Sequence, residues 1–223
     1  MPRFTFSELS EETLNSIVKL REREVVPEKW SQRMVALNDE EQERLKFLTS
    51  YLRNRQTHLM NEATIWSRAI YPLLMLAERG NIQAWAGVPL KAQYPRFELE
   101  GEADGALASS VSGRIRVPYL IVVLQAQRGI DAPNPQFQLY GEMLAAAWLN
   151  WRGNHETAQE IFGCYTISDS WTFVHGTVEG LESDKPVFTA ELSAEYAERF
   201  EAETILQILK FIAAKYINES IST

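Results

Sequence analysis

The chain has 223 residues, 45% hydrophobic and 23% charged, with a formal net charge of -8. That balance excludes a low-complexity chain and argues against coating nucleic acid through bulk charge, while leaving room for a local basic groove. One cysteine, Cys164, excludes an internal disulfide and reads as a small buried residue in a reducing compartment.

Ser7 or Ser10 can cap a first helix with Glu11 and Glu12 in its first turn; Leu14, Ile17, Val18 and Leu20 supply its apolar side chains and Pro27 stops it. Asn38-Asp39-Glu40-Glu41 starts a second helix whose Leu45, Leu48 and Leu52 share a face. Helical character resumes from His58 to Arg79, kinked or restarted at Pro72 and ended by Gly80-Asn81. The period then changes. Ile82 to Val88 and Phe97 to Leu107 read as strands, Ser109 to Gly113 as a turn, and Tyr119 to Leu124 as a central strand buried on both faces. A helix follows from Gln136 to Trp151, then a strand from Ile161 to Ile167, its hairpin partner from Trp171 to Val178, and an edge strand from Val187 to Leu192. Ser193 is read as the cap of a final helix reaching Asn218. No segment reads as a signal peptide or membrane span, so the expectation is a cytoplasmic chain with no membrane partner.

This order gives an α/β fold: a mixed central sheet flanked by helices. No linker demands a second domain. Residues 1–223 are read as one domain, with an N-terminal helical extension (1–57), a core (58–168) and a C-terminal hairpin and helix (169–223).

Three segments carry candidate chemistry. Gly101-Glu102-Ala103-Asp104-Gly105 places an acid on a strand between glycines, where backbone or ligand can approach closely; Glu98, Glu100 and Glu102 share its strand parity. The buried strand Ile121 to Leu124 ends in Gln125-Ala126-Gln127, whose two glutamines share a face. Gln136 and Tyr140 are one helical turn apart, and Glu142, two residues on, faces away from them. In this order, with Glu62 on the helix before the strands, these residues resemble the PD-(D/E)XK (restriction-endonuclease-like) nuclease superfamily from Asn61 to Ile167. The resemblance implies a core of a helix, three strands, a helix and a further strand. It implies catalytic roles for Glu62, Asp104, Gln125, Gln127, Gln136 and Tyr140, with Asp104 and Gln125 as ligands of Mg2+ or Mn2+. The motif is altered: Gln125 stands where the family has an acidic ligand and Gln127 where it has a lysine. An amide removes the negative charge that such an ion prefers. Some active members carry Gln at the lysine position, so Gln125 is the harder loss.

Each residue also has a plainer reading. Asp104-Gly105 can shape a turn or bulge, Gln125 and Gln127 can be the solvated end of a strand, Gln136 and Tyr140 a cap and a core aromatic, and Glu62 a surface charge. The histidines His58, His155 and His175 lack ligand spacing and read as surface residues. Arg53, Arg55, Arg114, Arg116, Arg128 and Arg152 either line a groove or are mixed surface charges. The expected function is a nuclease-like protein with an altered metal site, weakly active or inactive, kept as a nucleic-acid-binding or interaction module and needing no cofactor. The alternative is an active Mg2+- or Mn2+-dependent DNA nuclease. DNA is the expected nucleic-acid partner. The N-terminal helices, with Trp30, Leu45, Phe47 and Leu48, can pair two subunits into a homodimer.

Overall fold

Alternation of buried and exposed residues along Ile82–Gln93 is the pattern of a strand with one apolar face, and that segment opens the sheet. The computed structural model describes residues 1–23, 25, 27–126 and 134–215. Their strands are β1 (Arg3–Thr5), β2 (Lys19–Arg23), β3 (Ile82–Gln93), β4 (Glu98–Val111), β5 (Arg114–Gln125), β6 (Ala158–Ile167), β7 (Ser170–Glu179) and β8 (Val187–Ala197). Their helices are α1 (Glu11–Ile17), α2 (Pro27–Ser31), α3 (Asp39–Arg53), α4 (Glu62–Ile65), α5 (Tyr71–Leu76), α6 (Pro135–Asn154) and α7 (Glu198–Lys215).

All eight described strands form one mixed sheet in the order β1-β4-β5-β6-β7-β8-β2, with β3 also on β4. The chain is therefore an α/β protein with a mixed central sheet flanked by helices. β3, β4 and β5 are an antiparallel meander; α6 then carries the chain to β6, which pairs parallel to β5. Apolar residues cover both faces. Leu139, Tyr140, Met143 and Leu144 of α6 build one core with α1, and α3, α5 and α7 build the other. β5 serves both: Val122 and Leu124 face the α6 core, while Leu120, Ile121 and Val123 face the other. Leu120 and Ile121 share a face because the β4–β5 register slips between Leu107 and Ala108, a bulge that places an extra β5 residue there. The β4–β5 turn is Ser112-Gly113, both with positive φ (53° and 70°), as the twist of a two-residue hairpin requires.

Several boundaries differ from the sequence expectation. The first helix ends at Ile17; Lys19–Arg23 pairs parallel with Val187–Glu191, so Leu20 lies on a strand and Pro27 opens α2. Val187 to Leu192 is consequently not an edge, because β2 covers it. Ser193 does not cap the last helix. It lies within β8, and its hydroxyl accepts the Phe173 N–H (2.9 Å) left over where the β7–β8 register shifts. The helix starts at Glu198 instead. Around Pro72 the helix reorganises: Trp66–Ile70 is a π-helical turn between α4 and α5, since Pro72 lacks an N–H and its ring crowds the carbonyl of Arg68. Trp30 and Leu45, expected at a subunit contact, are buried in the chain's own core at 0% and 6% exposure. No described helix is long and apolar enough to cross a membrane.

The β8–α7 junction is fastened by buried acids. Asp169 accepts both Nε and Nη2 of Arg199 (2.7 and 2.8 Å) and the hydroxyl of Thr57 (2.8 Å). Glu198 accepts the Trp171 indole N–H at 2.9 Å, and burial, aided by the charge of Asp169, pushes its carboxyl up to about 8. A carboxyl raised on folding binds more protons folded than unfolded. Its contribution is therefore present near pH 4.5 and lost as pH rises toward 8. Glu198→Gln keeps an acceptor for Trp171 and removes the titration. Urea unfolding at pH 5 and at pH 9 is expected to show the variant gaining relative to wild type at the higher pH.

Candidate functional site

β1 and β5 lie along the same edge of β4, β1 on Glu98–Glu100 and β5 on Gly105–Val111. Between them that edge is open, and Asp104 fills it. Its Oδ2 accepts the backbone N–H of Gln125 at 2.6 Å, so a side chain satisfies the last strand donor of β5. The side chain of Gln125 turns back to α4, donating Nε2–H to the backbone carbonyl of Glu62 at 2.8 Å. A carbonyl only accepts, so the amide nitrogen must face it. Asn61 caps this helix start by accepting the Thr64 N–H.

The two glycines that bracket Asp104 have steric reasons. A Cβ on Gly105 would lie 2.6 Å from the Trp66 ring, and one on Gly101 would lie 2.5 Å from the Phe6 ring. The Trp66 contact presses the π-helical turn onto β4 and so holds Glu62 beside Gln125. Ala126 N–H bonds to Thr166 carbonyl (2.8 Å), which fixes the end of β5 against β6.

A cleft of about 350 Å³ opens here, lined by Glu62, Asp104, Gln125, Asn134 and Gln138 among others. Gln138 donates to Glu142 Oε1 at 3.1 Å. Glu142 is fully buried, and its Oε2 has no hydrogen-bond partner. Burial holds the Glu142 carboxyl well above its usual range, and the charge of Asp104 pushes the same way. Burial also raises Asp104, against the Gln125 hydrogen bond and with the charges of Glu102 and Glu62. Asp104, Glu62 and Glu142 form no ion pair with a described residue.

The structure thus brings Glu62, Asp104 and Gln125 together. Gln136 and Tyr140 sit apart from the cleft: Gln136 donates to the Tyr140 hydroxyl (2.6 Å) and both bond Glu22 Oε1 on β2, Tyr140 at 2.9 Å. Burial raises the Tyr140 hydroxyl, and the Tyr140 ring meets that of Phe188 edge-on. Gln127 lies outside the described residues. Glu142 does face away from the Gln136–Tyr140 stripe, but the face it shares with Gln138 is the one that looks toward Asp104. The i,i+4 spacing of Gln138 and Glu142 is the signal that could have found them. Glu22 was hidden because a strand, not a helix, carries it. His175 is half-buried and tied to neighbours: its Nε2 pairs with Glu160 at 2.7 Å and Arg33 bonds its Nδ1 at 3.0 Å.

A divalent cation asks for charged oxygens converging on one point. Among the described residues no three His, Cys, Asp or Glu side chains do so. Gln125 spends its amide N–H on the Glu62 carbonyl and leaves only a neutral amide oxygen, Asp104 Oδ2 already accepts the Gln125 backbone N–H, and burial biases Glu142 toward its neutral form. The donor set present does not fit Mg2+ or Mn2+. No family model matches the chain, and no curated protein matches it.

Two substitutions separate cleft from helix. Gly105→Ala forces the Trp66 ring away and is expected to cost about 1–3 kcal/mol, the range for overpacking. Tyr140→Phe leaves Glu22 and Gln136 short of one hydrogen bond and is expected to cost about 1–3 kcal/mol. Proton–deuteron exchange of the Gln125 amide is expected to accelerate in the first variant and stay unchanged in the second.

Proposed function

We propose that this chain is a degenerate PD-(D/E)XK-like domain in which a hydrogen-bonded closure occupies the place of the cation centre, and that it works as an interaction module rather than as a nuclease. The carrying observation is the Gln125 amide donating to the Glu62 carbonyl while Asp104 accepts the Gln125 backbone N–H. At the position where the family resemblance implies an acidic acceptor, this chain has a neutral amide whose N–H is bound to the Glu62 carbonyl. Further support comes from the element order: helix, three antiparallel strands, helix, and a strand parallel to the third. Charge also favours a binding role without phosphate in the cleft. Among the described residues its lining includes Glu62 and Asp104 and no Lys or Arg, so those two acids would repel a nucleic-acid backbone entering it. A second reading, an active Mg2+- or Mn2+-dependent DNA nuclease, rests on Asp104 and Glu62 facing one cleft.

Cleavage of single- and double-stranded DNA with manganese separates the two readings. The expected result is no cleavage above that of an Asp104→Ala variant; cleavage that Asp104→Ala abolishes overturns the proposal. Gln125→Glu removes the donor and sets a carboxylate against the Glu62 carbonyl and near Asp104. It is expected to cost about 0.5–1.5 kcal/mol, the range for one hydrogen bond lost at a site open to water. Part of that loss should return on adding Mn2+, read as a rise in melting temperature that wild type does not show.

A further inference from the structure

The cleft at Asp104 holds negative charge that its surroundings do not neutralise. Asp104 and Glu62 line it, and among the described residues no Lys or Arg does. Burial raises the Asp104 carboxyl, and the charges of Glu102 and Glu62 add to the shift. A further acid stands behind the wall. Glu142 is fully buried one turn along α6 from Gln138, accepts the Gln138 amide on Oε1, and leaves Oε2 without a hydrogen-bond partner. Gln138 itself lines the cleft, and the charge of Asp104 reaches Glu142. The buried carboxyl is thus turned to the cleft through the Gln138 amide. A buried polar atom without a partner marks a place where one is missing.

The free hydrogen-bonding capacity there specifies the occupant. Gln125 and Gln138 turn their amide nitrogens to Glu62 and Glu142. That leaves their amide oxygens, the second oxygen of Asp104 and the Glu62 carboxylate without a donor from any described residue. No three acids converge as a metal ion needs. A guanidinium needs no such convergence, because its planar fork of N–H donors can meet charged and neutral oxygens spread around it. An ammonium is a compact, strongly hydrated charge and gives up more hydration on entering a half-buried site. Leu9, Leu124 and Pro135 supply an apolar wall along which the methylene stem of an arginine can lie.

We propose that the cleft receives the guanidinium of an arginine side chain on a partner protein, taken by Asp104 and Glu62. The assignment rests on the cleft being a binding site without a resident cation, and it names the chemistry of the partner. A positive charge bound there also reaches Glu142, the acid that the fold leaves half-satisfied.

NMR titration of the full chain with N-acetyl-arginine methylamide tests it. Saturable shifts are expected at the Gln125 backbone amide and at the Gln125 and Gln138 side-chain amides, with a Kd of about 1–10 mM, weak as befits one side chain. N-acetyl-lysine methylamide should bind about threefold more weakly or worse. Asp104→Asn keeps an acceptor for the Gln125 N–H, removes the charge and should abolish the shifts. Glu62→Gln alters an exposed side chain, and its backbone carbonyl still holds Gln125, so the fold is expected to stay intact while the Kd rises about fivefold or more. No saturable shift up to about 100 mM, where a millimolar site is filled, overturns the proposal. So does a Kd unchanged by both Asp104→Asn and Glu62→Gln. Binding seen only in Arg128→Ala would give the cleft to the chain's own arginine, and tighter binding of free L-arginine would give it to a free ligand; either overturns the proposal. Manganese keeps the two levels apart. Paramagnetic broadening centred on Gln125 would overturn the cation-free cleft, whereas silence toward both manganese and blocked arginine overturns the arginine assignment alone.

Discussion

The side-chain amide of Gln125 ties the end of β5 to the first residue of α4, and the arrangement of the cleft depends on that tie. A strand ending at a helix start leaves carbonyls and N–H groups that water or a ligand must satisfy. Here the protein satisfies them itself. Asp104 accepts the backbone donor, Glu62 accepts the side-chain donor, and Trp66 packed on Gly105 holds the two elements at the distance this requires. Replacing an acceptor by an amide at such a point changes the chemistry of the site more than its shape, since the same atoms remain in place with one donor where a lone pair would be.

Negative charge is unevenly managed across the fold. Several structural acids meet basic side chains: Glu191 binds Lys29 and Arg33, Glu160 binds Lys215 and His175, and Asp169 binds Arg199, while Glu198 is met by the Trp171 indole. Glu160 is held down to about 2: the hydrogen bonds and charges of His175 and Lys215 outweigh the opposing effect of burial. Around the cleft no such partners stand among the described residues, and Asp104 and Glu142 shift upward instead. Unmatched acids in a partly buried pocket cost stability, and chains keep such costs where function asks for them.

Much of the fold was legible in the sequence because its signals are local. The apolar run Tyr119 to Leu124 had to be a strand buried on both sides, and the glycines around Asp104 announced close packing, although rings rather than a ligand fill the space. The Asn38 and Glu41 capping box marked the start of α3. What escaped depends on partners distant in sequence. Lys19–Arg23 is a charged segment with one apolar residue, strand only because β8 offers its edge. Ser193 looks like a helix cap until Phe173, at a bulge on the neighbouring strand, needs its hydroxyl. Within the candidate site, the grouping of Glu62, Asp104 and Gln125 followed from element order. The direction of α6 did not: Gln136 and Tyr140 turn to Glu22, and the offset pair Gln138 and Glu142 faces the cleft, a choice set by packing on the sheet rather than by helical spacing.

The central claim is that the Gln125 amide, and not a cation, holds Asp104 and Glu62 together. A crystal structure of the wild-type chain soaked in manganese, with anomalous scattering recorded at the manganese edge, tests this most directly. The account predicts no anomalous peak beside Asp104 and a Gln125 amide nitrogen still within hydrogen-bonding distance of the Glu62 carbonyl. A manganese peak bonded to Asp104, with the Gln125 side chain turned so that its oxygen meets the ion, would contradict it.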